Sequence, residues 1–390
     1  MYQVKLFNKI SNAGLSLLKP EAYTCSEDFE NYDAIMVRSA KLHDLEFPKN
    51  LKCIARAGAG VNNIPLDKCT ENGIVVFNTP GANANAVKEL VLCALLLSSR
   101  NIVGGANWVK TLAGNGDKIG AMAEKGKSNF AGPEIAGKTL GVIGLGAIGV
   151  RVANAALALG MEVIGYDPYL SVNAALQIQR GVRYTADLNE IFANSDYITV
   201  HVPLMDSTRG IVSREGIALM KDGVRILNFA RDGLCDEDAV IEGLESGKIA
   251  CYCCDFASER MLAQPNALCL PHLGASTPES EDNCARMAAE EMMEYLEKGT
   301  IRNSVNFPNV STARETDCRL CIIHKNIPNM IAKISSAVSG EGFNIENLLN
   351  KAKKDMAYTI VDISLGEKDT DFEKLFDGID GVIRVRVIKD

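Results

Sequence analysis

The sequence lacks the features that mark nucleic-acid-binding, membrane and secreted proteins. It has 41 lysines and arginines against 49 aspartates and glutamates, a formal net charge of -8, whereas binding to nucleic-acid phosphates requires a basic surface. The longest apolar run, residues 90–97, is far shorter than the roughly 20 residues that span a bilayer. The N-terminus shows no basic segment followed by an apolar one, so no secretory signal is visible. We therefore expect no nucleic acid and no membrane as partners, and a cytoplasmic location.

The cysteines lack the spacing of a metal site. There are 12, mostly single, and the one cluster is Cys251, Cys253 and Cys254. Zinc sites need a second pair of cysteines or histidines at a set distance, and none follows. We predict no bound metal and expect these thiols to be small apolar residues on an interior strand.

The apolar pattern indicates several domains. A chain of 390 residues is too long for one hydrophobic core, so two or three domains are expected. Short apolar runs alternate with helical stretches over the first hundred residues, which predicts a small parallel α/β domain. The predicted strands are Val4–Phe7, Ala34–Val37, Cys53–Ile54 and Ile74–Phe77. The following helix, residues 85–100, is apolar on nearly every face and should be buried between domains or subunits. From Gly137 a longer alternation begins, with strands predicted at Lys138–Ile143, Met161–Tyr166, Tyr197–Val202, Val224–Asn228, Ala250–Asp255 and Ala267–Leu270. Ser276–Glu279 then has the cap, proline and acids that start a long helix.

The C-terminal part of the chain shows a third pattern. Residues 303–317 are irregular and polar and are interpreted as a linker. The tail after them has the order β-α-β-β-α-β, which predicts a ferredoxin-like domain.

The strongest motif is the G-x-G-x-x-G of Gly144–Gly149, between a predicted strand and an alanine-rich helix. Gly144 allows the tight turn, Gly146 lets a pyrophosphate approach the backbone, and Gly149 lets the helix pack on the strand. The next strand ends at Asp167, about 20 residues further on, where an acid accepts ribose hydroxyls and repels a 2′-phosphate. The motif therefore predicts NAD in preference to NADP.

Three polar residues follow predicted strands of this second alternation. Arg231, Glu259 and His272 come after three successive strands, and ligands bind at strand ends in open α/β sheets. Histidine suits the removal of a hydroxyl proton, and arginine suits a carboxylate or a developing carbonyl oxygen. An acid bonded to the histidine would orient it and raise its pKa. Taken singly, the three residues are also compatible with a cap and two surface charges.

These segments resemble the D-isomer-specific 2-hydroxyacid dehydrogenase family over residues 1 to about 305. The matching stretches are Gly144–Gly149 with Asp167, His201–Pro203, Asn228–Gly233, Asp255 with Glu259, and Pro271–Thr277. The resemblance implies an α/β fold in which a Rossmann-type NAD-binding domain, residues 99–284, is inserted in a flavodoxin-like substrate-binding domain, residues 1–98 and 285–305. It also implies that Arg231, Glu259 and His272 are the catalytic residues.

The resemblance implies binding residues as well. Those for NAD are Thr79, Gly144, Gly146, Ala147, Ile148, Gly149, Asp167, Val202, Ala230, Asp255, Gly274 and Ala275, with Asp255 on the nicotinamide amide. Residues 56–63 resemble the family's substrate loop, whose amides hold a carboxylate. The implied substrate residues are Arg38, Arg56, Ala59, Gly60 and Asn83, with either arginine on a phosphate.

The form of Pro271–Thr277 is typical of the family members that oxidise 3-phospho-D-glycerate to 3-phosphooxypyruvate, which makes 3-phosphoglycerate the expected substrate. Two alternatives stay open: a reductase for hydroxypyruvate, glyoxylate or lactate, and an NAD-sensing binding protein like the corepressors of this fold. The chain departs from the family where Asp255 and Glu259 are one residue closer than usual.

The tail, residues 317–390, resembles an ACT domain. The resemblance implies that His324, Asn326 and Asn344 bind L-serine as an effector and that the protein is a homodimer or tetramer. Asn329 stands where the usual glycine of the Pro-Gly turn would be. Asparagine tolerates the left-handed conformation better than most residues.

Overall fold

The computed structural model describes residues 1–366 and 370–389. The chain divides into two compact units, Met1–Asn83 with Pro278–Asp390 and Ala84–Thr277. The predicted first domain, residues 1–98, also takes in most of the helix Ala84–Ser99, which this division assigns to the second unit. Among the described residues, no helix has both the length and the apolarity to cross a membrane.

The first unit begins with a five-stranded parallel sheet in the order β2-β1-β3-β4-β5, which is the flavodoxin-like order. Its strands are β1 Tyr2–Phe7, β2 Tyr23–Ser26, β3 Ala34–Val37, β4 Cys53–Arg56 and β5 Val75–Asn78, with helices α1 Asn12–Leu15 and α2 Leu66–Glu71. β3 is buried along its whole length, as expected for a strand of a parallel sheet covered on both faces. The flavodoxin-like prediction is confirmed.

The second unit contains a seven-stranded sheet in the order β12-β11-β10-β9-β6-β7-β8. All its strand pairs are parallel. The order in which the strands are added across the sheet changes direction between β6 and β9. This is the Rossmann order with one added strand, which confirms the predicted fold class. The strands are β6 Thr139–Ile143, β7 Glu162–Tyr166, β8 Val182–Thr185, β9 Tyr197–Val200, β10 Val224–Asn228, β11 Ile249–Cys254 and β12 Ala267–Cys269.

Helices surround this sheet. They are α3 Ala84–Ser99, α4 Ile102–Lys110, α5 Ile119–Gly126, α6 Gly149–Ala158, α7 Val172–Ala175, α8 Leu188–Asn194, α9 Arg214–Leu219, α10 Glu237–Ser246 and α11 Glu259–Leu262. In α3, Val87, Val91 and Leu95 are buried in the core of the unit, whereas Leu96 is 41% exposed. The single chain therefore buries one side of the apolar helix and leaves another side open.

The first unit continues with α12, Pro278–Lys298, and a four-stranded antiparallel sheet in the order β14-β15-β13-β16. These strands are β13 Cys318–Lys325, β14 Ile345–Lys353, β15 Met356–Ile363 and β16 Val382–Lys389, with helices α13 Met330–Gly340 and α14 Phe372–Leu375. The topology is ferredoxin-like, as predicted. Asn329 adopts the left-handed conformation before α13, with φ of 69°.

The antiparallel sheet shares a hydrophobic core with α12 and the N-terminal sheet. The Arg386 guanidinium lies 4.3 Å from the Tyr295 ring centroid and donates hydrogen bonds to the Tyr295 and Leu296 carbonyls. Phe307 and Val310, in the segment interpreted as a linker, are buried in the same core. The segment is therefore packed and does not act as a free spacer.

Candidate active site

The parallel sheet of the second unit brings the predicted residues to one edge. Because its strands all run the same way, the residues that follow β6, β7, β9, β10, β11 and β12 lie along the carboxyl edge of the sheet. These are the glycine loop, Asp167, Val202, Ala230 with Arg231, Asp255, and His272. Cofactor residues and candidate catalytic residues thus share one edge.

The glycine loop after β6 has a separate steric reason for each glycine. Gly144 has φ of +94°, and a Cβ on it would lie 2.7 Å from the His201 carbonyl oxygen and 2.8 Å from Val202. A Cβ on Gly149 would lie 1.8 Å from the Gly144 oxygen, whereas a Cβ on Gly146 would meet nothing within 4 Å. The open space at Gly146 fits the close approach of a pyrophosphate. Ala147 and Ile148 then lead into α6, whose start has no side-chain cap, leaving amides for phosphate oxygens.

Asp167 is oriented beside this loop. Its Oδ2 accepts a hydrogen bond from the Leu145 amide at 2.9 Å, and its Oδ1 accepts one from the Tyr169 amide at 2.8 Å. Each carboxylate oxygen has a second lone pair. The loop and the acid therefore fit the diphosphate and adenosine ribose of NAD.

Asp255 holds the loop that carries His272. It is buried, and its two carboxylate oxygens accept hydrogen bonds from the Leu273 amide at 3.0 Å and the Gly274 amide at 2.7 Å. His272 has a left-handed φ of +56°, a conformation that costs a non-glycine residue roughly 1–2 kcal/mol. Its exposed ring packs edge-on against Phe256, with centroids 5.3 Å apart. Sequence reasoning missed this use of Asp255, because it depends on residues that are distant along the chain.

Arg231 and Glu259 are both exposed. Arg231 Nη1 donates to the Ala230 carbonyl at 2.7 Å, and the Arg231 carbonyl accepts from Asn228 Nδ2 at 2.9 Å. Glu259 is the first residue of α11, which Ser258 caps. Within residues 1–366 and 370–389, no hydrogen bond or ion pair joins Glu259 to His272. The predicted contact is absent because the shortened segment after Asp255 enters α11 at once.

His201 is a further polar residue at this edge, and the sequence analysis gave it no role. Its Nε2 lies 2.9 Å from Thr199 Oγ1, and its Nδ1 is buried without a hydrogen-bond partner in the described part of the chain. Burial lowers the pKa of the imidazole to about 3, so the ring is neutral at physiological pH. Its position in the matching stretch His201–Pro203 was the available signal.

The predicted substrate residues lie at the carboxyl edge of the N-terminal sheet. Arg38 follows β3, and its Nη2 lies 2.6 Å from Glu281 Oε1 on α12, with 44% of the Arg38 side chain exposed. Arg56 ends β4 and folds back, since its Nε donates to the Arg38 carbonyl at 3.0 Å and its guanidinium lies where a Cβ on Gly58 would be. Both arginines are half-buried, and Arg38 pairs with a carboxylate through its guanidinium, whereas Arg56 is folded against the backbone of its own sheet.

The glycine-rich loop after β4 leaves backbone donors available. The Ala59 carbonyl accepts from Asn78 Nδ2 at 2.6 Å, whereas the amides of Ala59 and Gly60 have no acceptor among the described residues. Such amides can hold a carboxylate, as predicted. The Thr79 hydroxyl is buried without a partner in the same part of the chain, and Asn83 is half-buried before α3.

The three predicted effector residues are not together within one chain. His324 is buried, with its Nδ1 2.8 Å from the Lys325 carbonyl and its Nε2 2.8 Å from Thr359 Oγ1. Asn326 lies at the same end of the sheet and donates to the Lys354 carbonyl. Asn344 precedes β14 at the opposite end, where Ile345 pairs with Ile363. The separation along the strands is roughly 20 Å.

Comparison with known proteins agrees with this geometry. Residues 92–274 match the family model described as "D-isomer specific 2-hydroxyacid dehydrogenase, NAD binding domain". The chain is similar to D-3-phosphoglycerate dehydrogenase of Methanocaldococcus jannaschii, 40% identical over 293 residues that cover 73% of this chain and 53% of the relative. It is also similar to hydroxypyruvate reductase of Thermotoga maritima, 40% identical over 318 residues that cover 76% of this chain and 98% of the relative.

Among solved structures, the NAD⁺-bound 3-phosphoglycerate dehydrogenase of Entamoeba histolytica is 25% identical, with a TM-score of 0.61, and the match covers 78% of this chain and 98% of that chain. This chain spans about half the length of the first phosphoglycerate dehydrogenases that it matches. The family model names NAD for the domain whose glycine loop and Asp167 fit that cofactor. The identity over nearly the whole Thermotoga protein shows that the chain belongs to the D-isomer-specific 2-hydroxyacid dehydrogenase family.

Proposed function

We propose that this protein oxidises 3-phospho-D-glycerate to 3-phosphooxypyruvate with NAD. The observation that carries the substrate choice is Arg38, which follows β3 with 44% of its side chain exposed and pairs with Glu281. An arginine there suits a phosphate, because its planar donors match phosphate oxygens. The 38–40% identity to two archaeal phosphoglycerate dehydrogenases supports the same choice.

In the proposed mechanism the chain's own residues hold the substrate and move one proton. The Ala59 and Gly60 amides bind the substrate carboxylate, and Arg231 stabilises negative charge that develops on the C2 oxygen. His272 takes the hydroxyl proton as general base. NAD, which the glycine loop Gly144–Gly149 and Asp167 would hold, would supply the acceptor for the hydride that leaves C2. The role proposed for Glu259, orienting the protonated His272, requires its side chain or the first turn of α11 to move.

A second candidate is the reduction of hydroxypyruvate. The Thermotoga relative carries that name and is matched over almost its entire length. The two functions differ in their need for a phosphate contact. A comparison of kcat/KM for phosphorylated and unphosphorylated substrates therefore decides between them.

The Arg38→Ala variant tests the choice directly. A charge-assisted hydrogen bond to phosphate contributes about 1.5–3 kcal/mol, so KM for 3-phosphoglycerate should rise roughly tenfold or more, with a smaller change for hydroxypyruvate. Glu281→Gln removes the carboxylate that pairs with Arg38 and should lower KM for 3-phosphoglycerate. An equal loss on both substrates in Arg38→Ala would favour the unphosphorylated substrate and contradict the proposal.

We also propose the assembly and regulation that the family resemblance implies. Residues 317–390 are proposed as an ACT regulatory domain that binds L-serine. A homodimer is proposed to form through the apolar side chains that the second unit leaves exposed at 37–46%, namely Leu96, Ile102, Val103, Val109 and Met122. Exposed apolar surface of this kind commonly marks an interface between subunits.

A further inference from the structure

A basic cavity lies in the first unit, in the same compact unit as the N-terminal sheet but formed by other elements. It is open to solvent, has a volume of about 730 Å³ and is lined by the end of α12, residues 309–314 and strands β13 and β14. A volume of this order accommodates a small organic molecule. Neither the family resemblance nor the proposed reaction assigns it a function.

The charge of the lining is strongly asymmetric. Five cationic side chains, Lys298, Arg302, Arg314, Arg319 and Lys351, face one anionic side chain, Glu294. In a chain with a net charge of -8, this concentration of cations makes the cavity locally attractive to anions.

Arg319 is a buried cation in the lining of the cavity. It is fully buried and is neutralised by Asp362, with Nε and Nη2 donating at 2.6 and 2.9 Å. Its remaining donors bind the carbonyls of Lys298, Thr312 and Ala313. Arg319 therefore joins α12, the connecting segment and β15, and it covers a terminal carbonyl of α12 that would repel an anion.

Two lysines supply charge that the chain does not neutralise. Arg302 lies 3.6 Å from Glu294, but the ammonium groups of Lys298 and Lys351, both exposed to solvent, have no hydrogen-bond or ion-pair partner in the described ranges. They come from two different elements of the lining, α12 and β14. Hydroxyl groups of Thr300, Ser311 and Thr312 add neutral donors to the lining.

From this geometry we propose that the cavity binds a small organic anion with at least two negative charges, held between Lys298 and Lys351. Because its walls come from α12 and from the ferredoxin-like sheet, such an anion stabilises the packing of that sheet against α12. Phosphate esters and polycarboxylates share the required chemistry. Binding at this site is independent of the substrate proposed above.

Calorimetric titration of the full chain with pyrophosphate and with citrate tests the site. Saturating NADH blocks the glycine loop, and an Arg38→Ala background removes the other proposed phosphate contact. With NADH bound and Arg38 replaced, at least one of the two probes should still bind. The probe that binds more tightly shows whether the site prefers phosphate or carboxylate groups. The double variant Lys298→Ala/Lys351→Ala should bind it at least about tenfold more weakly.

Lys19→Ala, which removes an exposed lysine outside the cavity lining, is the matched control and should bind as the parent does. The thermal midpoint should rise with the tighter probe in the parent and in this control, but not in the double variant. Absence of binding by both probes, or equal binding by the double variant, would overturn the proposal. Turnover of 3-phosphoglycerate, measured separately in the double variant, should be unchanged, so failure of this site is distinct from failure of the proposed reaction.

Discussion

At the scale of single residues, Asp255 links the cofactor edge to the candidate base. Its carboxylate accepts two amides from the His272 loop, and an unpaired buried amide costs about 1–3 kcal/mol. Replacement of Asp255 by asparagine puts an amide donor against one of these N–H groups. We expect the loop to shift and the His272 imidazole to lose its position.

The Asp255→Asn variant should therefore lower kcat by about tenfold or more, since a positioned base contributes roughly 10²–10⁴-fold. The Kd for NAD, measured by fluorescence titration, should change less than kcat, because the glycine loop and Asp167 are untouched. The His272→Ala variant sets the upper limit of the loss. If NAD affinity falls as much as kcat does, Asp255 acts mainly on the cofactor.

Residue assignments were predictable where the reason is local. The conformations of Gly144, Gly146 and Gly149 follow from one turn, and the structure has each as the motif predicts. The absence of a hydrogen bond between Glu259 and His272 could not be predicted, because it depends on where α11 begins. The clamp by Asp255 likewise requires the three-dimensional position of the loop after β12.

At the scale of elements, α12 contains a buried acid that makes stability depend on pH. Glu291 is 1% exposed, and burial raises the pKa of its carboxyl to about 8, although the Asn303 amide at 2.6 Å opposes that shift. Arg302 also opposes the shift, whereas Glu290 and Glu294 add to it. The folded protein thus holds Glu291 protonated over a range where the unfolded chain ionises it.

Because the pKa of Glu291 is raised in the folded state, its contribution to stability is complete below the unfolded pKa near 4.5. That contribution is lost as the pH rises towards 8. The Glu291→Gln variant keeps a neutral side chain of the same size that can hydrogen-bond, but this side chain does not ionise. We expect the variant to match the wild type near pH 4, below the unfolded pKa, and to be more stable near pH 8.5 by roughly 1–3 kcal/mol, the usual cost of an uncompensated buried polar group. Urea denaturation at both pH values measures this. A difference that does not vary with pH would show that Glu291 does not titrate in this range.

Element prediction failed mainly at sheet edges. The sequence analysis missed β2 and β8, which are the outermost strands of their sheets. Both are short and partly exposed, so they lack the apolar run that marks a buried parallel strand. The central strands have that run and were predicted to within a few residues.

At the scale of the whole molecule, the main difference from expectation is how the C-terminal domain is attached. The sequence predicted a domain tethered by a linker, but the structure packs this domain against α12. The Arg386 guanidinium lies over the Tyr295 ring, and the Tyr358 hydroxyl donates a hydrogen bond of 2.7 Å to the Gly299 carbonyl. These contacts join residues far apart in sequence, so no local pattern indicates them. A ligand on this domain would therefore act on an element of the same compact unit.

Serine regulation tests that connection. One chain holds His324 and Asn326 at one end of the sheet and Asn344 at the other, so a serine site that uses all three residues requires two copies of the domain. Each serine would then favour one arrangement of paired subunits, with an expected coupling of about 1–3 kcal/mol, or roughly 5- to 150-fold in affinity.

Asn344→Ala should abolish inhibition by serine without changing uninhibited kcat, because Asn344 is exposed and not among the proposed catalytic residues. Asn189→Ala, an exposed asparagine on α8, is the control and should keep the inhibition. Sedimentation should show that the inhibited species is an oligomer. Inhibition of a monomer, or unchanged inhibition of Asn344→Ala, would place the serine site elsewhere, since a single chain cannot bring these three side chains to one ligand.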